Sequence, residues 1–235
     1  MTATDSVRAP ASQLRRTGRF AAFRPEIAAY YEKLHHALGP QHWWPARTPF
    51  EVIVGAILTQ NTAWTNVERA MRNLRGARLL MPRALHAVSR TRLARLVRPT
   101  GYFRQKAGHL KAFVRFLRTE FGGSLRRMFA MPTRLLRERL LQVHGIGPET
   151  ADSILLYAGQ HPVFVVDAYT RRILLRHGLI HEKATYNEVR ALFEDNLPRD
   201  VQMWNEYHAL LVQAGKNWCR PRNPRCAACP LECFL

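Results

Sequence analysis

LLQVHGIGPETADSILLYAGQHPVFVVDAYTRRILLR, residues 140–176, holds the most decisive punctuation in the chain. An apolar helical run ends at Val143 and turns through Gly145-Ile146-Gly147. It then opens a second helix at Thr150, passes an apolar stretch and presents one carboxylate, Asp167. Glycine lets a backbone approach a ligand that a side chain would hold away. The amides at the start of the next helix carry partial positive charge and suit a phosphate. A phosphate grip with a lone acid downstream is the equipment needed to act on one nucleotide of DNA.

Composition points the same way. Of 235 residues, 36 are basic and 17 acidic, a net charge of +19 that calls for an acidic partner. Codon bias explains why only five of the basic residues are lysine (Lys33, Lys106, Lys111, Lys183, Lys216), but not the excess of base over acid. No run approaches the ~20 apolar residues of a membrane span. Residues 1–24 read as a basic, disordered arm rather than a secretory signal, and a transit peptide would have a similar composition. A cytoplasmic, nucleoid-associated monomer acting on double-stranded DNA, with no membrane partner, is expected.

Apolar spacing predicts helices over 25–38, 51–74 (interrupted near Gln60-Asn61-Thr62), 83–89, 91–97, 101–121, 133–142, 149–159, 167–177, 185–195 and 202–214. Residues 125–132 read as a connector. No alternating segment exceeds the VFVV of 163–166, so the fold class is all-α. One helical domain is expected over 46–160. A second comprises 25–45 with 161–235, and a cleft between such lobes suits a gripped substrate.

All four cysteines fall at the C-terminus, as Cys219, Cys226, Cys229 and Cys233 in a C-x6-C-x2-C-x3-C run. Thiols clustered so tightly indicate a metal site, either zinc or a [4Fe–4S] cluster. Arg220, Arg222 and Arg225 are threaded through the loop, where they can meet a phosphate backbone.

Hairpin, apolar run, lone Asp and terminal cysteine loop, in that order, resemble the endonuclease III branch of the helix–hairpin–helix (HhH-GPD) DNA glycosylase superfamily over residues 25–235. The resemblance implies a two-lobed all-α fold. It makes VHGIGPETA (143–151) the DNA-gripping hairpin, with Gly145, Ile146, Gly147 and Thr150 on the DNA. It also makes Asp167 of VDAYTRR (166–172) the catalytic carboxylate, and implies a [4Fe–4S] cluster on the four cysteines, with zinc the alternative. The last two cysteines depart from the family pattern: five residues usually separate them, and here Pro230, Leu231 and Glu232 do.

A second departure bears on mechanism. Bifunctional members carry a lysine at the position matching Glu149. A carboxylate cannot form the imine that cuts the strand, so hydrolysis alone remains. Asp167 would stabilise the developing oxocarbenium charge; it could equally cap the helix that starts there. Glu149 reads either as a base-selecting group or as a first-turn acid suited to the helix dipole.

Trp43-Trp44-Pro45 reads as an aromatic pocket wall, suited to stack on a flipped cationic base, or as a domain seal. Gln60 resembles the family glutamine that fills the gap left by the flipped nucleotide; the plain alternative is a polar helix end. His144 adds little. WWP, TPFEVIVGAILTQNTAWTNVERA and Glu149 together resemble the subgroup associated with 3-methyladenine excision. The expected function is thus a monofunctional DNA N-glycosylase of base excision repair acting on an alkylated purine. A glycosylase for damaged or mismatched pyrimidines, with or without lyase activity from a residue such as Lys216, and a non-catalytic damaged-DNA-binding module are the rivals.

Overall fold

Prolines and short polar caps cut this chain into brief helices. The computed structural model describes residues 24–41, 43 and 46–235. The basic arm, apart from Arg24, and Trp44 and Pro45 of the aromatic wall lie outside the described residues. Twelve α-helices follow one another among those described. They are α1 (Pro25–Leu38), α2 (Pro49–Thr59), α3 (Trp64–Gly76), α4 (Pro82–Ala87), α5 (Arg90–Leu96), α6 (Phe103–Phe121), α7 (Leu125–Phe129), α8 (Thr133–Leu141), α9 (Pro148–Ser153), α10 (Ala168–Arg176), α11 (Tyr186–Glu194) and α12 (Val201–Asn217). No strand occurs among the described residues, so the chain is all-α.

Proline opens α1, α2, α4 and α9, where its missing N–H costs nothing. Thr48, Ser89, Ser124, Thr185 and Asp200 each accept a first-turn amide.

Four local expectations are corrected. The helix expected over 51–74 is two, parted by a turn at Gln60–Ala63 in which Asn61 takes a left-handed φ of 51°. The connector at 125–132 contains α7, because Ser124 caps it and Met128 supplies a fully buried anchor. The hairpin's second helix opens at Pro148, two residues before Thr150. α12 runs three residues past 214.

Apart from Glu51, which pairs with Arg75, α2 is apolar and buried from Phe50 to Leu58, so it must be enclosed. α3, α6, α9 and the segment after α9 pack around it. A second concentration of aromatic packing surrounds α12, against which α1 and α10 lie. There Phe164 stacks on Phe193 with centroids 3.9 Å apart, and both meet Tyr207 edge-on. The Tyr207 hydroxyl donates to the Ile27 carbonyl at 2.7 Å and Arg24 N donates to Asn196 Oδ1 at 2.6 Å, which fastens α1 to sequence some 170–180 positions away.

Beyond Ser153 the helix widens. Ile154–Ala158 form a π-helical turn, closed by the Gly159 amide on the Ile154 carbonyl at 3.0 Å. The extended residues 163–166 then lead to Asp167, and Tyr186 and Glu194 of α11 hold them: Val166 N donates to the Tyr186 hydroxyl (3.3 Å) and Phe164 N to Glu194 Oε1 (2.9 Å).

Candidate active site

The hairpin between α8 and α9 is a tight construction. Gly145 has a φ of +86°, and a Cβ there would stand 2.1 Å from the His109 ring of α6. Only glycine satisfies both demands. His109 in turn meets His144 edge-on at 5.3 Å. Burial holds its pKa below the ordinary range, with His144, Lys106 and Arg90 acting in the same direction. Gly147 differs: it caps α9, its φ of −90° is ordinary, and nothing lies within 4 Å of the place a Cβ would take. The open approach to the first amides of α9 is therefore over Gly147, and the filled one is at Gly145.

Two hairpin residues expected on the DNA side turn inward instead. Ile146 is buried and its amide donates to the Val143 carbonyl at 3.0 Å. Thr150 is buried, and its hydroxyl accepts from Gln60 Nε2 at 3.0 Å. Gln60 also donates to the Gly145 carbonyl at 2.9 Å, so its amide nitrogen ties the α2–α3 turn to the hairpin.

Asp167 caps α10, its Oδ1 accepting from Thr170 N at 2.8 Å. The capping reading thus describes its geometry, and it leaves the second oxygen to do something else. Asp167 Oδ2 faces His208 Nε2 of α12 at 3.7 Å. On the far side of that ring, Nδ1 meets the Tyr157 hydroxyl, from the π-turn. Burial pushes the Tyr157 hydroxyl well up, with Asp167 and Glu206 adding to it, and pushes the His208 ring down against the opposing pull of Asp167. Both are accordingly neutral.

Glu149 lies close enough to Asp167 for the two carboxylates to repel. Its side chain is exposed to water, yet desolvation first and Asp167 second push its carboxyl up to about 7. Two acids with separated titrations are a common basis for divided catalytic labour.

Beneath this pair runs a buried ion network that sequence reasoning missed. Asp152 of α9, with no exposed side-chain surface, accepts from Arg137 Nε (2.6 Å) and Nη2 (3.1 Å) of α8, and Arg190 of α11 stands 3.7 Å away. Burial pushes the Asp152 carboxyl up, and the two guanidiniums offset part of that. The network locks both arms of the hairpin to α11, the helix that steadies 163–166.

Trp43 stands at the junction of α3 and α12. Its ring is 6.4 Å from that of Trp64, and Lys216 Nζ lies 5.4 Å from its centroid. Lys216, Tyr169, Gly215, Arg220 and Arg222 line an open groove of about 640 Å³ beside the cysteine loop. Arg225 is exposed on the same loop.

Another exposed ring escaped the sequence reading. Tyr102 is 70% exposed and left-handed, at a φ of 44°. Buried Lys106, one turn on, donates to the Leu58 carbonyl (3.0 Å) and the Thr100 carbonyl (2.7 Å), which joins this turn to the end of α2 beside Gln60. The GYF sequence between helices was the available signal.

Four free thiols close the chain. Burial pushes the Cys229 thiol up and Cys219 and Cys226 push it further, while Cys229 and Cys233 both act on the Tyr30 hydroxyl. The thiol loop therefore lies beside Tyr30 of α1 and against α10, beyond the end of α12. Arg172 and Arg176 of α10 secure it: Arg172 Nε donates to the Cys219 carbonyl at 2.6 Å and Arg176 Nη1 to Cys219 Sγ at 3.2 Å. Among the described residues no three His, Cys, Asp or Glu side chains are arranged around a single ion. The chemistry of the donor set, four free thiols of which Cys219 and Cys226 act on Cys229, suits a thiolate-bound group.

A hairpin gripped between two helices, an aspartate at a helix start and a terminal thiol loop define a helix–hairpin–helix repair protein. Residues 54–199 match the family described as HhH-GPD superfamily base excision DNA repair protein, and the chain belongs to that family. It is 46% identical to a protein named as a candidate DNA repair glycosylase in Methanocaldococcus jannaschii, over 88% of this chain and 94% of the relative. Among solved structures, the 3-methyladenine DNA glycosylase of H. pylori bound to 1,N6-ethenoadenine shares 29% identity, with a TM-score of 0.70 over 81% of this chain and 95% of that one. A trapped endonuclease III–DNA covalent intermediate shares the fold, with a TM-score of 0.77 at 21% identity over 89% and 93%.

Proposed function

We propose that this DNA N-glycosylase of base excision repair is monofunctional and hydrolyses the N-glycosidic bond of an alkylated purine in double-stranded DNA. The observation that carries the reading is the Glu149–Asp167 pair: a raised acid stands where strand-cutting relatives are expected to hold lysine, beside a carboxylate anchored at a helix start. Likeness to the H. pylori 3-methyladenine glycosylase supports the substrate class.

In this reading residues 46–160 form one lobe and 25–45 with 161–235 the other, and the flipped base enters between them. Gly147 and the first amides of α9 take a phosphate, while Gly145 shapes the turn that presents them. Gln60 meets the strand gap through its carbonyl oxygen, since its nitrogen is engaged. The ring of Tyr102 stands ready beside it. Trp43 offers an aromatic wall for the base. Arg220, Arg222 and Arg225 meet the backbone.

As the base departs, positive charge develops on the sugar, and the Asp167 carboxylate stabilises it and aligns water. Glu149 selects: ionised, it favours a base that already carries positive charge, and that preference weakens as pH falls through about 7. Cys219, Cys226, Cys229 and Cys233 would hold a [4Fe–4S] cluster, which would brace the arginine loop; zinc is the other occupant such donors accept. Metal analysis and the visible absorption of the purified protein separate the two.

The test is a duplex assay on methylated DNA, each reaction split between neutral quench and hot alkali. Breaks only after alkali are expected. Breaks in the neutral half would favour a lyase, with Lys216 in its groove the first lysine to replace. No breaks in either half would overturn the substrate class, and a lesion panel with Asp167→Asn would then separate a glycosylase of other bases from a binding module.

A further inference from the structure

α12 turns Trp204, Tyr207, His208 and Leu211 inward, so His208 is an imidazole on an apolar face. Its Nδ1 is satisfied by Tyr157, but its Nε2 makes no hydrogen bond and has Asp167 Oδ2 at 3.7 Å in front of it. Buried polar atoms rarely lack a partner without a reason. Tyr157 reaches the ring from the widened turn at 154–158, and such turns cluster at functional sites.

We infer that Tyr157 and His208 form a buried positioning pair that fixes the Asp167 carboxylate toward the reacting sugar. The inference rests on the catalytic reading of Asp167. A carboxylate ahead of Nε2 draws the ring proton to that nitrogen. Nδ1 is then the acceptor and the Tyr157 hydroxyl the donor, which selects one tautomer. Thr170 N holds Oδ1 and the His208 N–H dipole addresses Oδ2, so the carboxylate plane is set at two points rather than one. Because His208 is neutral, it orients the anion without cancelling it; a lysine or arginine there would quench the charge the sugar needs. The 3.7 Å separation is longer than a hydrogen bond, and contacts of this kind tighten when substrate is engaged. Glu149 from α9 is the further ionisable group near Asp167. His208 is thus a positioning residue and Asp167 remains the catalytic one.

The test avoids any choice of lesion. Duplexes carrying a cationic pyrrolidine abasic analogue or a neutral tetrahydrofuran analogue are bound to the full chain at pH 7, and the ratio of the two Kd values is the readout. The wild type should prefer the cation, and Asp167→Asn should abolish that preference. His208→Phe should lose about tenfold of it, the scale of one charge-assisted hydrogen bond, with affinity for the neutral analogue unchanged. Tyr157→Phe should lose part, and His208→Gln, which can present an amide N–H, should recover most. Should His208→Phe misfold, Tyr157→Phe and His208→Gln carry the same comparison. Full preference retained in His208→Phe and Tyr157→Phe would overturn the pairing, as would equal weakening of both analogues. A wild type indifferent to the charge would instead overturn the role of Asp167, and the pairing with it.

Discussion

Gly145 and Gly147 look equivalent in sequence and are not equivalent in space. Gly145→Ala drives a methyl into the His109 ring and forces a side chain onto a left-handed φ, at a combined cost of about 3 kcal/mol. Gly147→Ala meets nothing among the described residues and should leave Tm nearly unchanged while weakening duplex binding, because the methyl would stand over the proposed phosphate approach. Thermal melts of the two variants, each followed by a binding titration, check this pair of opposite outcomes. Glu149 gives a second prediction at this scale. Its folded carboxyl titrates near 7, above the ordinary 4.5, so the folded protein holds a proton that the unfolded chain has already released. Stability therefore declines as pH rises from about 4.5 to about 7 and is level beyond. Glu149→Gln removes that decline: its Tm should exceed the wild type's at pH 8 and match it near pH 4.5. Equal differences at both pH values would show that Glu149 is not held in this setting.

Between elements, Asp152 makes a buried ionic joint. Arg137→Met leaves a fully buried carboxylate short of its bidentate partner, and breaking a buried pair costs on the order of 3–5 kcal/mol. Denaturant unfolding should show that loss, and Arg137→Met combined with Asp152→Leu should recover a good part of it. Little of this joint was legible beforehand. Hairpin, caps and helix ends are local, so glycine, proline and Ser/Thr/Asp spacing announced them. The bond from Lys106 to the Leu58 carbonyl spans 48 positions, and Tyr157 meets His208 across 51. Neither leaves a short-range trace, and a lysine or histidine at core spacing reads as an exception rather than a joint. The break after Thr59 was visible only as polarity at Gln60-Asn61-Thr62, where Asn61 takes a left-handed φ that asparagine tolerates better than most residues. Asp167 was legible as an acid able to cap a helix start, but nothing local told that its second oxygen would face the His208 ring.

Across the whole molecule, net charge is the property that bears most generally on DNA binding. A net charge of +19 displaces many counterions, so binding should weaken steeply with salt. Replacing Arg220, Arg222 and Arg225 together with alanine should lower the slope of log K against log salt by up to about 3, close to one per lost phosphate contact. Titrations at 50–300 mM salt measure it, and an unchanged slope would remove the cysteine loop from the interface. A different property follows from the bond between the Tyr207 hydroxyl and the Ile27 carbonyl. On the ribosome, Ile27 emerges early and its partner some 180 residues later, so α1 must wait, half made, while α2 through α9 assemble around one another. Its apolar stripe of Ile27, Tyr30 and Leu34 is uncovered for that interval. A slow translational pause before α12 would lengthen the exposure, and the yield of intact protein should then respond to codon changes that leave every amino acid in place.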